Sequence, residues 1–174
     1  MVYRRTAQNK RLQVFAVLFI ALLSATAIAQ DRPNLDALSV VNSSGTQARL
    51  AAYLPDGPII LHFWATWCIP CREELPQVDA FRRVLAQDGL SDHLIVVSVD
   101  KLEFAQVATF IEDDLAIGLE TLLVTDGNPG AIFGLFGYPY TLLLDADGTI
   151  VERFPGAIEW TAPDISARLF AHVD

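Results

Sequence analysis

The chain places both of its cysteines, Cys68 and Cys71, in one stretch, FWATWCIPCREELP (Phe63 to Pro76), with only Ile69 and Pro70 between them. No other feature limits the choice of fold as sharply. Just upstream, IILHFWA (Ile59 to Ala65) is a nearly continuous apolar run, the pattern of a central strand buried on both faces. Downstream, Leu75, Val78, Phe81 and Leu85 recur at helical spacing, with Arg82, Arg83 and Gln87 between them. That spacing predicts a helix from Cys68 to about Ala86, kinked at Pro76. The cysteines therefore fall where a buried strand hands over to a helix.

Three readings of a lone Cys-x-x-Cys compete: half of a metal site, an inert structural disulfide, and a redox dithiol. A structural zinc site needs four ligands, and His62, His93 and His172 are not at ligand spacing; haem attachment needs a histidine where Arg72 stands. A disulfide closing so small a loop constrains the unfolded chain little. The redox reading accounts for the flanks. A cysteine at a helix N-terminus faces unpaired amides and the positive end of the helix dipole, which can pull its pKa to between about 3.5 and 7.5. Pro70 falls in the first helical turn, where its missing N–H costs nothing. A rival from another functional class is a Cu(I) carrier, since two soft thiolates can hold that ion, but Met1 is the only methionine and thioether ligands are lacking. Stoichiometric copper retention after purification would favour the carrier.

Elsewhere the pattern is strand, helix, strand, helix, with no internal repeat and no second domain. Leu38–Val41 and Arg49–Tyr53 flank the turn-forming NSSGT and predict a weak N-terminal hairpin. LIVVSV (Leu94 to Val99) reads as a second apolar strand, and Phe104, Val107, Ala108, Ile111 and Leu115 as an amphipathic helix. A strand at Leu122, a short glycine-broken helix in NPGAIFGLFG, and strands from Tyr140 and Ile150 joined at Asp147-Gly148 follow. Thr161 and Pro163 are expected to open a final helix running through Phe170. The fold class is α/β.

Residues 1–29 differ in kind. Arg4, Arg5, Lys10 and Arg11 precede an unbroken apolar run from Val14 to Leu23, and Ala27-Ile28-Ala29 supplies a small-x-small cleavage pattern. This predicts a signal peptide cut before Gln30, leaving residues 30–174 as one domain; the alternative keeps residues 12–29 as an N-terminal membrane anchor. Either way the domain is exported, soluble or tethered. Loss of the leader removes four of 12 basic residues and none of 21 acidic ones, so the formal charge moves from -9 to -13. With Lys101 as its only lysine, such a domain has no basic patch for nucleic acid or an anionic membrane.

FWATWCIPCREELP resembles the active-site segment of the TlpA/ResA/DsbE-like exported thiol-disulfide oxidoreductases, and the likeness runs from the lead-in to PGAIEW and the closing helix. The resemblance implies a thioredoxin-like fold: a mixed central sheet flanked by helices, with the N-terminal hairpin as an extension and a central helix-strand insertion between Cys71 and Pro139. It implies Cys68 as exposed nucleophile, Cys71 as buried resolving thiol, and Pro139 of GYPYTLLLD as a cis-proline opposite them. Trp67, Ile69, Pro70 and Tyr138 would then line the path of substrate. It further implies a periplasmic protein that reduces protein disulfides, with no cofactor beyond the Cys68–Cys71 pair and no metal. A membrane electron donor of the DsbD/CcdA type would re-reduce it, and cytochrome c maturation is the commonest family context. Two other readings stay beside this one: a disulfide oxidant, because direction depends on redox potential, and a non-catalytic thioredoxin-like binding module.

Three residues depart from the pattern or leave it open. His62, six residues before Cys68, is either a proton acceptor for Cys71 or a satisfied core histidine. Glu74 matches the family glutamate that tunes the cysteines and contacts substrate, or is a solvated acid on an exposed helix face. Tyr138 is bulkier than the residues common before the cis-proline, and either narrows the groove or offers an apolar platform.

Overall fold

The computed structural model describes residues 31–174, which form one unit; the expected leader, 1–29, lies outside the described residues. The elements are β1 (Ser39–Val41), β2 (Gln47–Arg49), β3 (Ile59–Trp64), α1 (Ile69–Gln87), β4 (Leu94–Ser98), α2 (Phe104–Thr109), β5 (Leu122–Asp126), α3 (Pro129–Phe133), β6 (Tyr140–Leu144), β7 (Ile150–Pro155) and α4 (Pro163–Val173). The strands make one mixed sheet in the order β2-β1-β5-β4-β3-β6-β7. β3, β4 and β5 run parallel, and β6 returns antiparallel to β3.

β3 is central and every one of its residues is buried, which is why it reads as a continuous apolar run. Its side chains alternate between two cores. Ile60 and Trp64 point to a core shared with Leu75, Val78, Phe81 and Leu85 of α1 and Leu169 and Val173 of α4. Ile59, Leu61 and Phe63 point to a second core with Leu38, Leu50, Phe133 and Leu142. Both cysteines belong to the first core. The expected insertion and the expected hairpin prove to be one extension, because β5 adds beyond β4 and β1 then pairs antiparallel with β5.

Several boundaries shift from the sequence reading. The second hairpin strand is Gln47–Arg49, while Leu50–Tyr53 coils into a 3-10 turn that buries Leu50. The periodic helix after β4 is α-helical only to Thr109 and widens into a π turn over Phe110–Asp114. α1 continues through Pro76. Ala162, not Thr161, stands at the N-cap of α4, with Pro163 in the first turn, and the helix reaches Val173. Asp145 closes the β6–β7 turn by accepting the N–H groups of Asp147 and Thr149, with Gly148 in the left-handed region at φ 78°. Among the described residues no helix is long and apolar enough to cross a membrane.

Candidate active site

β3 ends at Trp64, the chain turns through Ala65–Trp67, and α1 begins at Ile69. Cys68 is the N-cap of that helix, with extended backbone at φ -88°, ψ 104°, and its Sγ accepts the N–H of Cys71 at 3.3 Å. The sulfur thus occupies a place normally taken by a capping oxygen, at the positive end of a 19-residue helix. Cys68 and Cys71 are joined as a disulfide. Cys68 is less open than an exposed nucleophile suggests, at 5 % accessible, but Cys71 is at 0 %. Of the pair, Cys68 is the one that keeps any access to solvent.

Large apolar side chains are exposed on both sides of Cys68. Trp67 is 64 % exposed and Ile69 67 % exposed, while the Trp67 ring stands edge-on to Tyr138, centroids 6.0 Å apart. Tyr138–Pro139 is a cis peptide immediately before β6. The loop that reaches it leaves α3 through Gly134, left-handed at φ 67°, and carries Phe136, 92 % exposed. Exposed aromatics cost solvation free energy unless something covers them, so this rim suits a partner's surface. A cavity of about 390 Å³ lined by Tyr53, Arg82, Glu120 and Thr121 holds neither cysteine.

Two polar residues near the head of α1 and on β3, Glu74 and His62, are buried rather than solvated. Glu74 is not on an exposed face: its Oε1 accepts the Ile158 N–H at 3.1 Å and the Trp160 indole N–H, and its Oε2 has no partner. Burial outweighs these two donors and pushes its carboxyl up to about 7. His62, also fully buried, shares a hydrogen bond of 2.9 Å between Nδ1 and Thr141 Oγ1, and its Nε2 is unpartnered. Burial lowers its pKa to about 3, so the ring is neutral at physiological pH. The Trp160 indole meets both residues, edge-on to His62 at 5.4 Å and hydrogen-bonded to Glu74.

Trp160 and Asp100 are the residues of this region that sequence reasoning did not single out. Trp160 stands in PGAIEW, within the quoted family segment, but nothing local says that its indole reaches back to Glu74 across 86 positions. Asp100 closes SVD after β4 and hydrogen-bonds the turn that carries Cys68. Among the described residues no group of three or more histidines, cysteines or carboxylates is arranged to hold a metal ion.

A model of the Redoxin family matches residues 24–169. Among curated proteins, a thiol:disulfide interchange protein DsbE of Pseudomonas fluorescens biotype C is 29% identical over 133 residues, covering 75% of this chain and 70% of that protein. A thiol-disulfide oxidoreductase ResA of Geobacillus thermodenitrificans (strain NG80-2) is 27% identical over 153 residues, covering 87% and 81%. Among solved structures, StoA from Bacillus subtilis superposes with a TM-score of 0.58 at 22% identity, over 82% of this chain and 100% of that one. A thiol:disulfide interchange protein from Bacteroides sp. gives 0.58 at 19% identity, over 83% and 89%. At these identities the structures establish the shared thioredoxin-like fold.

Proposed function

The chain belongs to the Redoxin family, and on that premise we propose that it is an exported thiol-disulfide oxidoreductase that reduces disulfides of protein substrates. The observation that carries the reading is the Cys68–Cys71 disulfide at the head of α1, with Cys68 the more accessible of the two and flanked by the exposed Trp67 and Ile69. In the dithiol form, the Cys68 thiolate attacks a substrate disulfide, forms a mixed disulfide and releases one substrate thiolate. Cys71 then loses its proton and attacks the Cys68 sulfur, so the second substrate thiolate leaves and the intramolecular disulfide closes. Two electrons pass from the dithiol to the substrate.

The proton of Cys71 needs an acceptor. Glu74 lies three residues further along α1, on the same face and equally buried, with a carboxyl near 7. His62, held near 3, would accept from a thiol of ordinary pKa about 8.5 only at a cost of about 1.4 kcal/mol for each unit of mismatch. Glu74 is therefore the proton acceptor in this mechanism, and His62 is a core residue held neutral by its surroundings. Cofactors beyond the dithiol have no part in the scheme. Re-reduction by a membrane donor of the DsbD/CcdA type, periplasmic export through residues 1–29, and a place in cytochrome c maturation complete the proposal, supported by the likeness to DsbE and ResA.

Reduction of insulin disulfides by the purified dithiol, with the Cys68–Cys71 potential titrated against glutathione on the same sample, tests the reading. Turnover with a potential below that of the glutathione pool supports a reductase; a potential well above it makes the protein an oxidant, and no exchange at all overturns the assignment.

A further inference from the structure

We propose that Asp100 is a positioning residue for the nucleophile: from the segment just after β4, it locks the turn that presents Cys68. The proposal rests on the thiol-disulfide reading and adds to it a residue that acts through the backbone instead of on the substrate.

The Asp100 side chain is buried, yet none of the ion pairs among the described residues involves it. Burying a carboxylate is costly unless donors compensate for the lost water. Here all the donors come from two places. Ser98 Oγ donates to Oδ2 at 2.7 Å, and Thr66 donates twice, its backbone N–H to Oδ2 at 2.9 Å and its hydroxyl to Oδ1 at 2.7 Å. The Asp100 N–H returns a bond to Ser98 Oγ at 3.2 Å, which fixes the orientation of the hydroxyl.

Thr66 is the middle of the turn. On one side Val99 N–H donates to the Trp64 carbonyl at 2.9 Å; on the other Cys68 N–H donates to the Ala65 carbonyl at 3.1 Å. The carboxylate therefore ties down Thr66, which lies inside the turn that the Cys68–Ala65 bond closes, across a separation of 34 positions. Two consequences follow for the chemistry. Cys68 is held in the extended conformation that an N-cap requires, so its sulfur meets the amides of α1. Trp67 is held outward, edge-on to Tyr138, so the rim keeps its shape. A charge-assisted pair of bonds to a single residue suits this task, because such bonds are the stronger and more directional ones.

The test uses the full-length protein reduced with dithiothreitol, and reads the rate of Cys68 alkylation by iodoacetamide, kcat and KM for insulin reduction, and the urea midpoint. Asp100→Ala is expected to slow alkylation about tenfold or more, since small misplacements of a reacting group carry penalties of that order. Asp100→Asn keeps an acceptor for the Thr66 N–H and should restore the rate to within about threefold of wild type, although its charge is gone. Thr66→Val is a second probe if Asp100→Ala does not fold, because it deletes only the hydroxyl bond at a half-buried site; it should slow alkylation about threefold while the melt stays cooperative. Alkylation at the wild-type rate in folded Asp100→Ala, or in Thr66→Val when Asp100→Ala does not fold, overturns the proposal, as does failure of Asp100→Asn to rescue. A wild-type protein that alkylates rapidly but never reduces insulin overturns the oxidoreductase reading instead.

Discussion

Trp160 donates its indole N–H to Glu74 Oε1, which ties the loop before the last helix to the third residue after Cys71. A carboxylate that helical periodicity alone leaves free to face solvent is thereby drawn into the interior. The bond leaves Oε2 as a buried acceptor with no partner, the kind of group that native proteins keep for a purpose.

The two thiols should differ sharply in reactivity. After reduction, iodoacetamide is expected to modify Cys68 at least about tenfold faster than Cys71 at neutral pH, since Cys68 alone combines access with the helix N-terminus. Mass spectrometry of timed samples checks this, and a faster Cys71 reverses the assigned order. Cys71→Ser should accumulate a mixed disulfide through Cys68.

Glu74→Gln should slow resolution of a glutathione mixed disulfide about a hundredfold at pH 7, the usual scale of losing a general base, and leave alkylation of Cys68 nearly unchanged. The same variant has a stability signature. A carboxyl raised from 4.5 to about 7 binds its proton more tightly when folded, so its stabilising contribution is complete below about 4.5 and is lost as pH rises through 7. Urea midpoints at pH 5 and pH 8 should fall less with rising pH in Glu74→Gln than in wild type.

His62→Ala should do the reverse, costing about 2–4 kcal/mol of stability for a buried ring and its hydrogen bond while leaving resolution within about threefold of wild type. A ring lowered to about 3 contributes stability that is present above its unfolded value of 6.5 and lost as pH falls toward 3. The variant should therefore show a flatter acid limb. Resolution slowed a hundredfold in a protein of normal stability would return His62 to the role of proton acceptor.

Trp67→Ala and Tyr138→Ala remove the two faces of the rim. Each is expected to raise KM for insulin about tenfold, the worth of an aromatic contact of about 1–1.5 kcal/mol, with kcat little changed. A fall in kcat at constant KM would mean that the rim orients Cys68 instead of receiving substrate.

Much of the molecule was written locally. The run from Ile59 to Trp64 could bury itself only as a central strand, and the spacing of Leu75, Val78, Phe81 and Leu85 only as one face of a helix, so the place of Cys68 between them followed from periodicity and burial. The Gly148 turn, the glycine stop after α3 and the hairpin near Asn42 were equally legible, because turn geometry is set by one or two residues. What stayed out of reach depended on residues far apart in the chain. Whether Glu74 faces water or a protein interior was decided by Ile158 and Trp160, whether His62 can charge by the sheet and indole that enclose it, and what holds Thr66 by Asp100 just after β4. A helix presents the same face to water or to a core until the fold supplies the other side, and a pKa is the free energy of a group in that completed environment. The sequence determined where the two cysteines stand, between a buried strand and a helix; only tertiary packing decided which of the groups around them are buried, what they bond and in which protonation state they are held.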